Sequence, residues 1–305
     1  MTSEDNSPIV EQNIEHNSPA VLEQDGHESD AQTLEAEHGA ETEHADSHEI
    51  TLYAEPVTHI GSFPITNSLI TSWVAVFLII LISLIIRKKT KRIPSAFQSS
   101  VEVVVEGALS MMDLVTNDRN KSKKAFPVVF SIFVFILINN WLGLVPGIGS
   151  ISFNGHHIFR GGTADLNTTL ALGIFAVVGA NIFGVMSVGA WEYFNKFINI
   201  KALLEIPKKI IKEPTIILVN PITFFVGLIE IISEFAKIAS LSFRLFGNVF
   251  AGEVLLASIS AMVAWGVPLP FMFLELIVGV IQALIFAVLT LVYFTIAATP
   301  HSHEH

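Results

Sequence analysis

The chain is 305 residues long, 51% hydrophobic and 15% charged, with a mean hydropathy of +0.58, a composition foreign to ordinary soluble domains. Its net charge of −11 is localised: residues 1–55 hold 15 of the 28 acids and no Lys or Arg, while the remainder carries 13 acids against 17 bases. With no cysteine, disulfides and thiolate metal sites are excluded, and bases confined to short loops between apolar runs form no basic face for nucleic acid.

Residues 1–55 read as a disordered acidic tail, since they offer no apolar periodicity to bury. They lack the basic and apolar regions of a secretory signal and the arginines of a transit peptide. His16, His27, His38, His44 and His48 are interleaved with carboxylates, but their irregular spacing fits no closed metal site, and a solvated tail is expected.

Five apolar stretches follow: Ile70 to Ile86, Phe126 to Val145, Thr168 to Ala190, a very long one from Asn220 to Ala264, and Pro270 to Ala298. Each is long enough to span a bilayer as a helix. Arg87, Lys88, Lys89, Lys91 and Arg92 follow the first. Arg119, Lys121, Lys123 and Lys124 precede the second, and Lys196, Lys201, Lys208, Lys209 and Lys212 follow the third. The alternate connections carry only Arg160. This asymmetry predicts an amino terminus outside and a cytoplasmic carboxy terminus. Between the first two spans, Phe97, Val101, Val104, Val105, Ala108, Met112 and Val115 recur at helical spacing opposite a polar face. Residues 94–116 are therefore expected as an amphipathic helix started by Pro94, lying along the cytoplasmic surface or against a partner helix, with packing on this chain's own loops as the alternative. The expected fold is an all-α polytopic membrane protein with about five crossings, this interfacial helix and a long tilted carboxy-terminal helical hairpin. The expected domains are the tail 1–55, a membrane domain 56–298 and a short tail 299–305.

As one helix, the stretch from Asn220 to Ala264 is about twice the ~30 Å hydrocarbon thickness, so it breaks or tilts steeply. Pro221 fits its beginning and no further proline intervenes before Pro268, which favours one steeply tilted helix, with Gly247 and Gly252 as points of bending. Within it Arg244 is permanently cationic. At bilayer depth such a charge costs about 2.5–3.5 kcal/mol on insertion scales, and this points to an ion pathway. At about 100° per residue, Glu230, Glu234, Lys237, Arg244 and Asn248 form one stripe, while Glu253 points about 140° from Glu230. Beside the stripe, Ser233, Ala236, Ser240, Gly247 and Ala251 form a strip of small residues on which another helix can approach closely. In the last span Glu275, Gly279, Gln282 and Tyr293 share a face. Gln282 is placed to hydrogen-bond Arg244 across the hairpin, and Glu275 to exchange protons with Glu253 or water.

The run LSFRLFGNVFAGE, with Glu230 and Lys237 upstream and IQALIFAVLTLVYF downstream, closely resembles subunit a of the F-type ATP synthase. AEPVTHIGSFPITNSL, NNWLGLVPG and TADLNTTLAL extend the resemblance over residues 53–298. The resemblance implies a non-catalytic stator subunit that offers two offset proton half-channels to a rotating c-ring. Its partners would be that ring, the b subunits of the peripheral stalk and the rest of the complex in a bacterial inner membrane. It further implies that Arg244 separates the half-channels and that Glu230, Asn248, Glu253, Glu275 and Gln282 line them or position the arginine. Ser240, Gly247 and Ala251 would touch the ring. Because Glu253 and Glu275 are both acidic, their order of protonation is left open, as is H⁺ against Na⁺. Asp165 is expected to cap a helix, with attraction of cations at the channel mouth as the other role.

No cofactor or metal is expected, and no GxxxxGK[ST] loop occurs, so ATP is expected to bind elsewhere in the complex. The competing readings are a secondary transporter, for which internal repeats are missing, and a structural assembly subunit.

Overall fold

The structure, a computed structural model, describes residues 54–60, 63–91, 94–146, 151–153, 156–191, 193, 216–263 and 266–299. The acidic tail and its histidines lie outside the described residues. Six long helices dominate: α1 (Asn67–Lys89), α2 (Ala96–Thr116), α3 (Arg119–Leu144), α4 (Leu166–Val188), α5 (Ile216–Met262) and α6 (Pro268–Ala297). All except α2 contain stretches long and apolar enough to cross a membrane. Two small antiparallel hairpins, β1 (Pro56–Ile60) with β2 (Phe63–Thr66) and β3 (Ser152–Phe153) with β4 (His156–His157), precede α1 and α4.

Helix ends follow the local chemistry. Thr66, Ser95, Asp118 and Asp165 cap α1 to α4, each accepting a backbone N–H of the first turn. Asp165 is thus an N-cap, as expected. Ser95 rather than Pro94 caps α2, because only a side-chain oxygen can accept that N–H. Asn117 takes φ 51°, in the left-handed region an asparagine tolerates, and turns the chain directly into α3. Helix α3 begins at Arg119, seven residues before the apolar run, and accommodates Pro127. Gly266, at φ 79°, stands in the turn leading to α6.

Helices α3, α4, α5 and α6 meet around Ile132, Ile136, Val177, Leu241, Leu245 and Phe286. A second cluster joins Met112 of α2 to Val129, Leu291 and Phe294, so the amphipathic helix docks part of its apolar face on this chain. Phe97 and Val104 stay exposed. The α2–α3 corner is also held by Arg119, which donates to Asp113 at 2.6 Å and to Glu106 at 2.7 Å.

Helix α1 is apolar outside and polar inside. Trp73, Phe77, Ile80 and Leu81 are exposed, whereas its buried residues are Asn67, Ser68, Thr71, Ser72 and Ala75. Water would not favour that arrangement; a surrounding of lipid tails does, because packing of small and polar residues then holds helices together. The chain is a multi-pass membrane protein.

Helix α5 runs uninterrupted through Gly247 and Gly252 for 47 residues, about 70 Å at 1.5 Å per residue. The single-helix expectation holds. Its start is corrected: Pro221 lies six residues in, where a first-turn proline was expected.

Candidate functional site

Two polar recesses open at opposite ends of the bundle, and Arg244 lies between them on α5. The first is at the end where α5 turns into α6. There a short 3₁₀ turn, Gly162–Ala164, is held by buried hydrogen bonds. Thr163 Oγ1 donates to Asn140 Oδ1 at 2.6 Å, and Asn140 Nδ2 donates to the Gly279 carbonyl at 3.0 Å. Ser68 Oγ donates to Asp165 Oδ2 at 3.0 Å, and Ser72 Oγ to Asn139 Oδ1 at 3.3 Å. Buried polar groups without partners are costly in a medium that cannot hydrogen-bond, so these bonds settle where the loop lies. Gly161 approaches α3 closely enough that a Cβ on Gly143 would stand 2.9 Å from its Cα.

The loop in turn brings Arg160 onto α5, where its Nε donates to Glu253 Oε2 at 3.1 Å. Glu253 and Glu275 both line a small recess, together with Asn140 and Gly279. Gly252 permits this: a Cβ there would overlap the Glu275 carboxyl group.

At the far end, Glu234 and Lys237 of α5 line a small recess with Asn181, Tyr193 and Tyr293. Lys237 Nζ donates to Glu234 Oε1 at 2.7 Å and sits 5.5 Å from the centre of the Tyr293 ring. Asn181 Nδ2 donates to Glu234 Oε2 at 3.4 Å, and the Tyr193 hydroxyl donates to Asn181 Oδ1. Burial, followed by the carboxylates of Glu234 and Glu230, pushes the Tyr193 phenol up to about 12. It is therefore a neutral donor at physiological pH.

Arg244 is nine residues from Glu253 and ten from Glu234, about 14 and 15 Å along the helix axis. Its side chain is exposed and, among the described residues, makes one hydrogen bond, to Ser240 Oγ at 3.4 Å. Among the described residues no carboxylate pairs with it. Ser240, Gly247 and Ala251 are exposed on the same side, and nothing lies within 4 Å of a Cβ built on Gly247. The guanidinium therefore borders an open strip of small residues in a helix otherwise studded with exposed Phe235, Phe243 and Ile232.

The family profile described as ATP synthase A chain matches residues 69–295. The chain belongs to the ATP synthase subunit a family. Among relatives named ATP synthase subunit a, that of Syntrophobacter fumaroxidans is 30% identical over 253 residues, covering 82% of this chain and 91% of the relative. That of Campylobacter concisus is 30% identical over 228 residues, 75% and 88% of the two chains. That of Geobacter sulfurreducens is 31% identical over 222 residues, 73% and 83%.

Every site residue named from the sequence lies inside the stretch matched to the family. The structure brings Glu253 and Glu275 together, and it leaves Arg244, Ser240, Gly247 and Ala251 side by side on one exposed face. Glu230 and Asn248 are half-buried on α5. Two expectations are corrected. Among the described residues the exposed Arg244 guanidinium bonds Ser240 Oγ and not Gln282. The single charged stripe also divides, since Glu234 and Lys237 at its other edge turn in toward α4 and α6. Arg160, Asn140, Asn181 and Tyr193 were not singled out as site residues. Their signal was polarity within or beside apolar spans, and Arg160 is the sole Lys or Arg between residues 146 and 167.

Proposed function

We propose that this chain is the ion-translocating stator subunit of an F-type ATP synthase, with two offset half-channels leading to a ring of c subunits and Arg244 separating them. The observation that carries this reading is the exposed Arg244, unpaired with any carboxylate among the described residues, midway along α5 between the two polar recesses. A buried structural arginine would be satisfied by its own chain. This one lacks an acid and borders a smooth strip, Ser240, Gly247 and Ala251, on which a partner helix carrying a carboxylate can pass.

By the positive-inside pattern, the α5–α6 turn faces outward and the far end faces the cytoplasm. Glu253 and Glu275 then belong to the outer half-channel, and Glu230 to the inner one. Asn248, one turn from Arg244, and Gln282 line the approach to the ring. A carboxyl group on the rotor discharges its proton before meeting the guanidinium and is reloaded beyond it. The fixed positive charge attracts the ionised form and repels protons that would leak directly between the half-channels. Transfer across the whole potential releases about 2.3 kcal/mol per charge per 100 mV, which drives rotation only while that leak is closed. The ring, the b subunits and the nucleotide-binding part of the complex are the partners, in a bacterial plasma membrane. The chain performs no chemistry on ATP itself.

The test is the Arg244→Ala complex. It is expected to assemble, yet to lose ATP synthesis driven by a proton gradient. Coupled synthesis persisting in membranes that carry this variant would overturn the assignment.

A further inference from the structure

Two carboxyl groups face the recess beside the α5–α6 turn, and among the described residues only one has a countercharge. Glu253 receives Arg160 Nε at 3.1 Å across 93 residues of chain, with both side chains sheltered at 12% and 24% exposure. Gly161 packs against the same carboxylate, a Cβ built there standing 3.1 Å from Glu253 Oε1. Glu275, against Gly252 on the opposite wall, has no hydrogen bond or ion pair among the described residues. Asn140 of α3 is the other polar side chain lining the recess, and it is uncharged and already committed to Thr163 and Gly279.

We propose that Arg160 is a positioning residue that anchors Glu253 as the standing anion of this recess, leaving Glu275 as the carboxyl group that exchanges its proton. This rests on the half-channel reading above. Two carboxylates sharing one poorly solvated recess do not ionise independently. A guanidinium, charged at every accessible pH, decides which of them holds the negative charge. Glu275 then takes a proton from water at the mouth, becoming a neutral carboxyl, and releases it toward the rotor carboxylate, returning to an anion. Glu253 neither gains nor loses one.

Proton flux through the assembled, reconstituted complex, recorded against pH on the recess side, tests this. Arg160→Gln is expected to slow flux about tenfold and to move the midpoint of its pH profile by about one unit, and Arg160→Lys to recover at least half of the loss. Because Arg160 acts through Glu253, the Arg160→Gln, Glu253→Gln double variant is expected to be no slower than Glu253→Gln alone. Glu275→Gln is expected to slow flux more than Glu253→Gln. In parent-minus-variant infrared difference spectra of the complex, one protonated-carboxyl contribution should be lost in Glu275→Gln and retained in Glu253→Gln, a readout independent of whether any Arg160 variant assembles. An Arg160→Gln profile superimposable on that of the parent, multiplicative losses in the double variant, or a band lost with Glu253 instead would overturn the inference. Arg244→Ala is the control. If it abolishes coupling while the Arg160 variants are silent, this inference alone falls; if it leaves coupling intact, the half-channel reading falls first.

Discussion

Glu234 shows how one carboxylate is kept in a mostly apolar bundle. Lys237 supplies its countercharge at 2.7 Å and Asn181 a further donor, with the two charged side chains 20% and 16% exposed. Removing one partner strands a charge. Lys237→Met is therefore expected to destabilise the fold by about 3 kcal/mol, whereas the Glu234→Gln, Lys237→Met pair should come close to neutral; unfolding titrations in mixed detergent micelles measure both. Tyr193, 6% exposed, makes a second prediction. Its phenol is raised in the folded state, to about 12 from an ordinary value of 10.0. The folded protein thus keeps a proton that the unfolded chain gives up between those values. The stabilisation is complete below pH 10 and disappears as pH climbs toward 12. Phenolate absorbance, compared with Tyr193→Phe, should show this tyrosine ionising late; a normal titration near pH 10 would contradict its burial.

At the level of elements, close approach depends on a few small residues. Gly252 lets Glu275 lie against α5. Gly252→Val should drive the carboxyl group aside and slow proton passage severalfold, while the same change at Gly247, which faces open space within the isolated chain, should leave the fold intact and interfere with rotor passage instead. Thermal stability of the purified subunit against flux through the complex separates the two. The α2–α3 corner is a milder case. Arg119 is 35% exposed and Glu106 65%, so Arg119→Ala should cost no more than about 1 kcal/mol, and less at high salt.

For the molecule as a whole, the decisive arrangement is vertical. Polar recesses at the two ends are separated by about 28 Å of α5 axis, with an exposed guanidinium between them. Glu253→Gln is expected to slow proton passage while the complex assembles, since it removes the anion without removing volume. Conductance equal to that of the parent would take Glu253 out of the pathway.

Much of this was legible in the chain itself. Hydropathy and the alternation of basic loops gave five spans in order, because lipid forces each spanning segment to satisfy its own backbone. The long run without an internal proline after Pro221 made α5 a single helix. Helical periodicity set the strip of Ser240, Gly247 and Ala251 beside Arg244. What periodicity cannot carry is the pairing of side chains from different helices. Glu234 and Lys237 share a stripe with Arg244 by count, yet lie at its inner edge, against Asn181 and the Tyr193 hydroxyl's partner network. Gln282 shares the hairpin with Arg244, yet among the described residues the guanidinium bonds Ser240 instead. Arg160 finds Glu253 only because Thr163, Asp165 and their buried hydrogen bonds fix a loop that no local signal describes. Local sequence decided which segments are helical and which faces are smooth or charged; packing among α1, α3, α5 and α6 decided which carboxylate received a countercharge, because that partner comes from a loop distant in the chain.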